Sequence, residues 1–197
     1  SFGSWGAPTD GLFGLGFKCI NIGATQISGF EISAMGEGKI GAIDVTLLGS
    51  LTKVNPIILD KDATYGNFYI GDNEYDINYH NSSYDTTGVL KYRHENIVKF
   101  DLNLDYKRIM TGFSFRYNSL MQNMDLVFGS DQFNGPSALI DIGILDSRER
   151  MLDGDMIIDY RVGYHINDEL TFSFIIDNLL NREYQNRPAD LGPPRAF

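Results

Sequence analysis

Val98-Lys99-Phe100-Asp101-Leu102-Asn103-Leu104-Asp105-Tyr106 decides how this chain is read: every even position is apolar and every odd one polar. Successive side chains of a β-strand point to opposite faces, so the segment has one greasy face and one wet face. Phe113-Ser114-Phe115-Arg116-Tyr117-Asn118 repeats the pattern, as do Ile158-Asp159-Tyr160-Arg161-Val162-Gly163-Tyr164-His165-Ile166 and Leu170-Thr171-Phe172-Ser173-Phe174. Less regular strands are expected from Thr25 to Met35 and from Asp44 to Asn55, and Arg195-Ala196-Phe197 reads as a seventh strand just beginning. All six prolines fall outside these segments or at their margins, as they must if the ladders need every backbone N–H.

Composition agrees with an all-β chain. Thirteen Phe, eleven Tyr and 21 Gly beside six Pro favour pleated surfaces and turns. The 197 residues suit one large domain or a piece of something bigger. Sixteen Lys plus Arg against 26 Asp plus Glu, a formal charge of −10, argue against nucleic acid or anionic headgroups as partners. A single Cys19 leaves no internal disulfide and no cysteine-based zinc site. No apolar run approaches the roughly 18 residues of a membrane helix, but strands that cross a membrane carry only a weak alternating signal.

The connections alternate in length. Gly36 to Gly41, Lys107-Arg108 and Asn167-Asp168 read as short turns, and Ser1 to Ala24, Pro56 to Lys91, Asp125 to Leu152 and Leu179 to Pro194 as long connections. In an antiparallel meander successive turns fall at opposite ends of the sheet, so one end carries tight turns and the other long loops. Outer-membrane barrels have this asymmetry. Alternation by itself fits a soluble β-sandwich equally well, yet uninterrupted runs from Val98 and Ile158 match the about 9–11 residues of a tilted membrane strand better than the about 5–6 of a common soluble one. The expected fold is therefore an antiparallel transmembrane β-barrel. Seven strands make an odd number where bacterial single-chain barrels close with an even one, so the chain is expected to be an incomplete barrel.

Asn178-Leu179-Leu180-Asn181-Arg182-Glu183-Tyr184-Gln185-Asn186-Arg187-Pro188, followed by Gly192-Pro193-Pro194-Arg195-Ala196-Phe197, resembles the last loop and final strand of TonB-dependent outer-membrane receptors. Gly29-Phe30-Glu31-Ile32, a turn, and Val45-Thr46-Leu47-Leu48-Gly49-Ser50-Leu51-Thr52 look like a barrel hairpin of the Bacteroidetes-type members. The resemblance implies that residues 1–197 are a C-terminal part of a plugged barrel of about 22 strands, a 22-stranded transporter of the bacterial cell outer membrane. Such a receptor imports a siderophore, metal chelate, vitamin or glycan with energy passed through TonB. The implied partners are outer-membrane lipid, the protein's own plug domain, TonB through an N-terminal part not seen here, and the small-molecule or glycan solute. A surface lipoprotein is a further partner the resemblance allows. A passive porin, an adhesin barrel and a secreted soluble β-sandwich are the alternatives.

Other motifs carry less. Gly36-Glu37-Gly38-Lys39-Ile40-Gly41 matches the dinucleotide fingerprint but leads into a strand rather than a helix, so it reads as a turn. Asp153-Gly154-Asp155 and Asp60-Lys61-Asp62 lack the spacing of a calcium loop and read as solvated acids. His80, His94 and His165 are scattered, and no nucleophile–base pair appears, so neither catalysis, a metal nor a cofactor is expected.

In a barrel, Phe100, Leu102, Leu104, Phe113, Phe115, Tyr160, Val162, Phe172 and Phe174 would face lipid, with Tyr106, Tyr117 and Tyr164 as girdle residues. Asp101, Asn103, Arg116, Asn118, Asp159 and Arg161 would line the lumen. Among these, Asp101, Arg116, Asn118, Asp159 and Arg161 are the candidate ligand-binding residues, with packing against a plug as their favoured role. Solute selection would fall mainly to the long loops at Pro56 to Lys91 and Asp125 to Leu152. The Pro56 to Lys91 loop carries six acidic residues against two Lys, which disfavours capture of a strongly anionic ligand by that loop alone.

Overall fold

The computed structural model describes residues 21–70, 72–131, 133–138, 141, 143–187 and 190–197, with 68–70 by backbone alone, and the backbone of Phe2–Ser4 and Leu15–Phe17. Pro8, Cys19 and Pro188 lie outside these described residues.

The protein is all-β, with 53% strand against 9% helix, and its strand pairs run antiparallel. In chain order the strands are β1 (Phe2–Ser4), β2 (Leu15–Phe17), β3 (Thr25–Ile40), β4 (Ile43–Ile58), β5 (Gly66–Ile70), β6 (Asn73–Ile77), β7 (Asn96–Tyr106), β8 (Ile109–Asn118), β9 (Asp155–His165), β10 (Thr171–Ile176), β11 (Gln185–Arg187) and β12 (Asp190–Leu191). Six of them form one sheet in the order β10-β9-β8-β7-β4-β3. The chain divides into two compact units: residues Ser1–Ser28, Asn55–Arg93 and Met121–Glu149 form the first, and Gly29–Val54, His94–Leu120 and Arg150–Phe197 the second.

In the second unit the alternation of the sequence becomes two faces. Cross-strand partners Leu47 and Leu102, Leu102 and Phe113, Phe113 and Tyr160, and Val162 and Phe174 carry one apolar row across five strands. The Phe113 and Tyr160 rings lie 4.8 Å apart. All nine residues expected to face lipid fall on this side, together with Tyr106, Tyr117 and Tyr164. None of them is buried: Phe172 is 65% exposed, and Phe100, Phe113 and Phe174 are each 41% exposed. The opposite face pairs Thr46 with Asn103, Asp101 with Ser114 and Ser114 with Asp159.

Strands run longer than the sequence pattern suggests. β3 continues through Gly36 and Gly38 to Ile40, and the turn is only Gly41-Ala42 with Gly41 at φ 62°. The expected Gly36–Gly41 turn is thus corrected: glycine adopts extended backbone freely, so two glycines interrupt the side-chain pattern without ending the strand. β4 likewise runs past Asn55 and includes Pro56, whose carbonyl accepts from Leu90 N at 2.8 Å. Lys107-Arg108 is a two-residue turn, with Tyr106 opposite Ile109. At the next tight turn Asn167 Oδ1 accepts from Glu169 N (3.0 Å) and Leu170 N (2.8 Å).

The first unit has a packed core of its own. Ile58, Tyr79 and Leu90 form one buried cluster, and Met124, Phe128 and Ile144 another. Stretches 56–91 and 125–152, read from sequence as long connections, contain the β5–β6 hairpin, a short helix α1 (Tyr79–Ser82), a 3-10 turn (Leu126–Gly129) and helix α2 (Ile144–Arg150). Helix α1 is closed at its start by Asn78 and Asn81, each side chain accepting from the other's backbone N–H.

Candidate functional site

The polar face of the sheet is organised by one arginine. β8 sits between β7 and β9, and its register puts Gly112 between Asn103 and Arg161. With no side chain at Gly112, the Arg161 guanidinium lies across β8. Its Nε donates to Asn103 Oδ1 (3.0 Å), Nη1 to Ser114 Oγ (2.8 Å), and Nη2 to Asp101 Oδ1 and Asn103 Oδ1 (both 2.6 Å). Asp101 is further held by Ser114 Oγ (2.5 Å) and Asn103 Nδ2 (3.0 Å). Charge is balanced inside the network, because the one cation is paired with the one carboxylate. It therefore cross-links three strands rather than presenting a free charge. Beside it a hollow of about 300 Å³ is lined by Asn103, Asp105, Met110, Thr111, Arg161 and Ser173, among others.

The five candidate residues do not converge on one pocket. Asp101 and Arg161 meet in the network. Asp159 Oδ1 accepts from the backbone N–H of Asn178 at 2.8 Å. The Arg116 guanidinium stands 5.6 Å from the centre of the Tyr184 ring, a cation–π distance. Asn118 faces Asp155 at the far end of the β8–β9 ladder.

The reading of Asp153-Gly154-Asp155 as solvated acids is corrected at Asp155, which opens β9 and is buried, while Asp153 stays exposed. Asn178 was not singled out by its own chemistry. Asp155 is 7% exposed; its Oδ2 accepts from Gln185 N at 3.3 Å and its buried Oδ1 has no hydrogen-bond partner. Asn178 is 2% exposed and left-handed, with φ 51°. The only signal for Asn178 was the resemblance of the Asn178–Phe197 segment to a family pattern.

In the first unit a polar network is built into the core. Lys91 Nζ donates to Asp125 Oδ1 at 2.6 Å and to Ser82 Oγ at 3.1 Å. Tyr92 OH donates to the other Asp125 oxygen, and Tyr65 and Ser82 share a hydroxyl–hydroxyl bond. The Asp125 side chain is only 4% exposed and that of Lys91 16%. Burial pulls the Lys91 amine below its ordinary value, against the nearby Asp125 charge. Tyr79 OH donates to Val89 O (3.0 Å) and Asp85 Oδ2 (3.1 Å) and accepts from Asn123 Nδ2 (3.0 Å). Burial, then the Asp85 charge, pushes its phenol well above the usual tyrosine value.

The histidines serve separate local roles. His80 pairs with Asp62 at 3.2 Å, His94 Nδ1 contacts Ser119 O, and His165 Nδ1 contacts Thr171 Oγ1 at 2.8 Å. Asp60 Oδ1 accepts from Asp62 N and Ala63 N, an ordinary Asx turn. Among the described residues no group of three or more His, Cys, Asp or Glu could hold a metal ion, and no helix is long and apolar enough to cross a membrane.

No protein-family model matches the chain. No curated protein matches it either.

Proposed function

We propose that the six-stranded sheet is a segment of an outer-membrane β-barrel, its aromatic face towards lipid and its polar face towards the lumen. Within that class we read the chain as part of a TonB-dependent receptor, an active importer of a siderophore, metal chelate, vitamin or glycan. One observation carries the barrel reading: the apolar side of the sheet is not packed into a core. A soluble sandwich buries its apolar face as its core, whereas the buried clusters of this protein lie in the first unit and no residue of the aromatic row is buried.

Ladder lengths support it as well. β7 and β9 have 11 residues and β8 has 10, against about 9–11 for a tilted membrane strand. The receptor reading rests on the Asn178–Phe197 segment. In this reading Arg161 and Asp101 stiffen the wall, the hollow beside them receives the plug, and the ordered first unit meets solute or a surface lipoprotein. Fractionation of cells making the complete protein tests the class: it should sediment with outer membranes and need detergent to stay monomeric. A detergent-free soluble monomer would overturn the barrel. Loss of solute-dependent growth when the TonB system is removed tests the receptor, and growth that does not depend on it would leave a passive pore or adhesin.

A further inference from the structure

The connection after β10 closes around Asn178. Left-handed backbone at a non-glycine residue calls for a local cause, and the cause here is a set of bonds that only this side chain can make. The Asn178 N–H is anchored to β9 through Asp159 Oδ1 at 2.8 Å. Its side-chain oxygen accepts from Arg182 N at 2.8 Å, and its amide nitrogen donates to Arg182 O (2.8 Å) and Pro193 O (3.2 Å). One amide thus ties the beginning, middle and end of the connection. Asn181, also left-handed at φ 49°, accepts from Arg195 N at 2.9 Å. Gly192 lies against the buried Tyr184 ring, where a Cβ would fall 2.1 Å from Cζ, and its N–H donates to Tyr184 O at 2.8 Å. The chain leaves this clasp at Ala196, which exchanges both backbone hydrogen bonds with Asp177, each 3.1 Å. The Phe197 ring stacks with Phe174 at 6.1 Å.

We propose that the Asn178 clasp is a register-setting device: it fixes how much chain is taken up between Asp177 and Ala196, so that the segment opening at Ala196 joins β10 in one register. A one-residue slip sends every side chain to the other face, and here it would carry Phe197 from the aromatic row to the polar one. Between β7 and β8 the Lys107-Arg108 turn is short enough to fix register alone. The connection after β10 is too long for that, and the clasp does the same work with side-chain bonds.

The inference stands apart from the membrane reading, since cross-linking reports strand register in any setting. The test uses the complete protein carrying Cys19→Ser, Asp177→Cys and Ala196→Cys, with disulfide yield after oxidation read by peptide mass spectrometry. Directly opposed residues place their Cβ atoms about 4.5–5.5 Å apart, at the outer edge of disulfide reach, so in the native register this pair should cross-link in higher yield than the pairs one residue out of register. Asn178→Ala should lower that yield about tenfold, as expected for losing a buried amide's hydrogen bonds, and cross-links should appear when the second cysteine is moved to Arg195→Cys or Phe197→Cys. If Asn178→Ala also lowers the amount of folded protein, the 177–196 disulfide should restore it. Unchanged yield with no slipped product, or a folding loss that the disulfide fails to restore, would overturn the proposal.

Discussion

Gly112 and Arg161 exclude each other's alternatives: a Cβ on Gly112 would stand 2.6 Å from Arg161 Nε and 2.7 Å from Asn103 Oδ1. The absent side chain is what lets one guanidinium reach from β9 to Asp101 on β7. Gly112→Ala should therefore push Arg161 off its partners and cost about 1–3 kcal/mol, the usual penalty for overpacking a filled site. Thermal unfolding followed by circular dichroism checks this, and Gly49→Ala on β4, where a Cβ meets nothing within 4 Å, is the control that should lose far less.

The Arg161–Asp101 pair itself should be worth less than its 2.6 Å separation suggests. Its side chains are 34% and 32% exposed, so solvent screens the charges, and a double-mutant cycle with Arg161→Met and Asp101→Asn should give a coupling of about 1 kcal/mol. A value of several kcal/mol would mean that the polar face is drier than this geometry implies.

Lys91 and Asp125 are the opposite case, because both are largely out of water. Asp125→Ala leaves the amine buried without its carboxylate and should cost about 3–5 kcal/mol. Adding Lys91→Met should recover part of that loss. Hydrogen exchange over residues 55–93 and 121–149 is the measurement, since the first unit should lose protection while β7, β8 and β9 keep theirs.

Asp85 sets an acid limit for the same unit. Burial pushes its carboxyl up, but hydrogen bonds from Thr87 and from the Tyr79 hydroxyl outweigh burial and hold it below the ordinary value. A carboxylate with a depressed folded value stabilises fully above its unfolded value of about 3.9, and that contribution fades as pH falls through the folded value. The first unit should lose exchange protection below about pH 4, and Asp85→Asn should remove the part of that loss due to this group. Tyr79 acts at the alkaline end: above about pH 10 the unfolded chain gives up a proton that the folded one keeps, so stability should fall with rising pH.

The sheet was legible in the sequence where side chains alternate without interruption. Val98 to Tyr106 shows both faces by inspection because each position of β7 meets only one environment. Gly36 and Gly38 hid the end of β3, since a residue without a side chain cannot show which face it occupies. The first unit was hidden for another reason. Ile58, Tyr79, Leu90, Met124, Phe128 and Ile144 follow no local period, and become a core only through contacts between distant segments. Alternation was enough to place Asp101, Arg116, Asn118, Asp159 and Arg161 on one face of the sheet, but only tertiary register could show that Arg161 binds Asp101 while Arg116 turns to Tyr184. Asn178 was visible only as part of a resemblance, because its three side-chain bonds depend on where Arg182 and Pro193 return.

The central claim is that lipid covers the aromatic face. Single nitroxide labels at Phe100, Leu102, Phe113, Phe172 and Phe174, and at the intervening Asp101, Asn103, Ser114 and Ser173, test it in the complete protein reconstituted into vesicles. The account predicts a period-two alternation: the aromatic-face labels collide readily with dissolved oxygen and are shielded from a water-soluble nickel chelate, and the intervening labels show the reverse balance. Aromatic-face labels as open to the nickel chelate as their neighbours would contradict it.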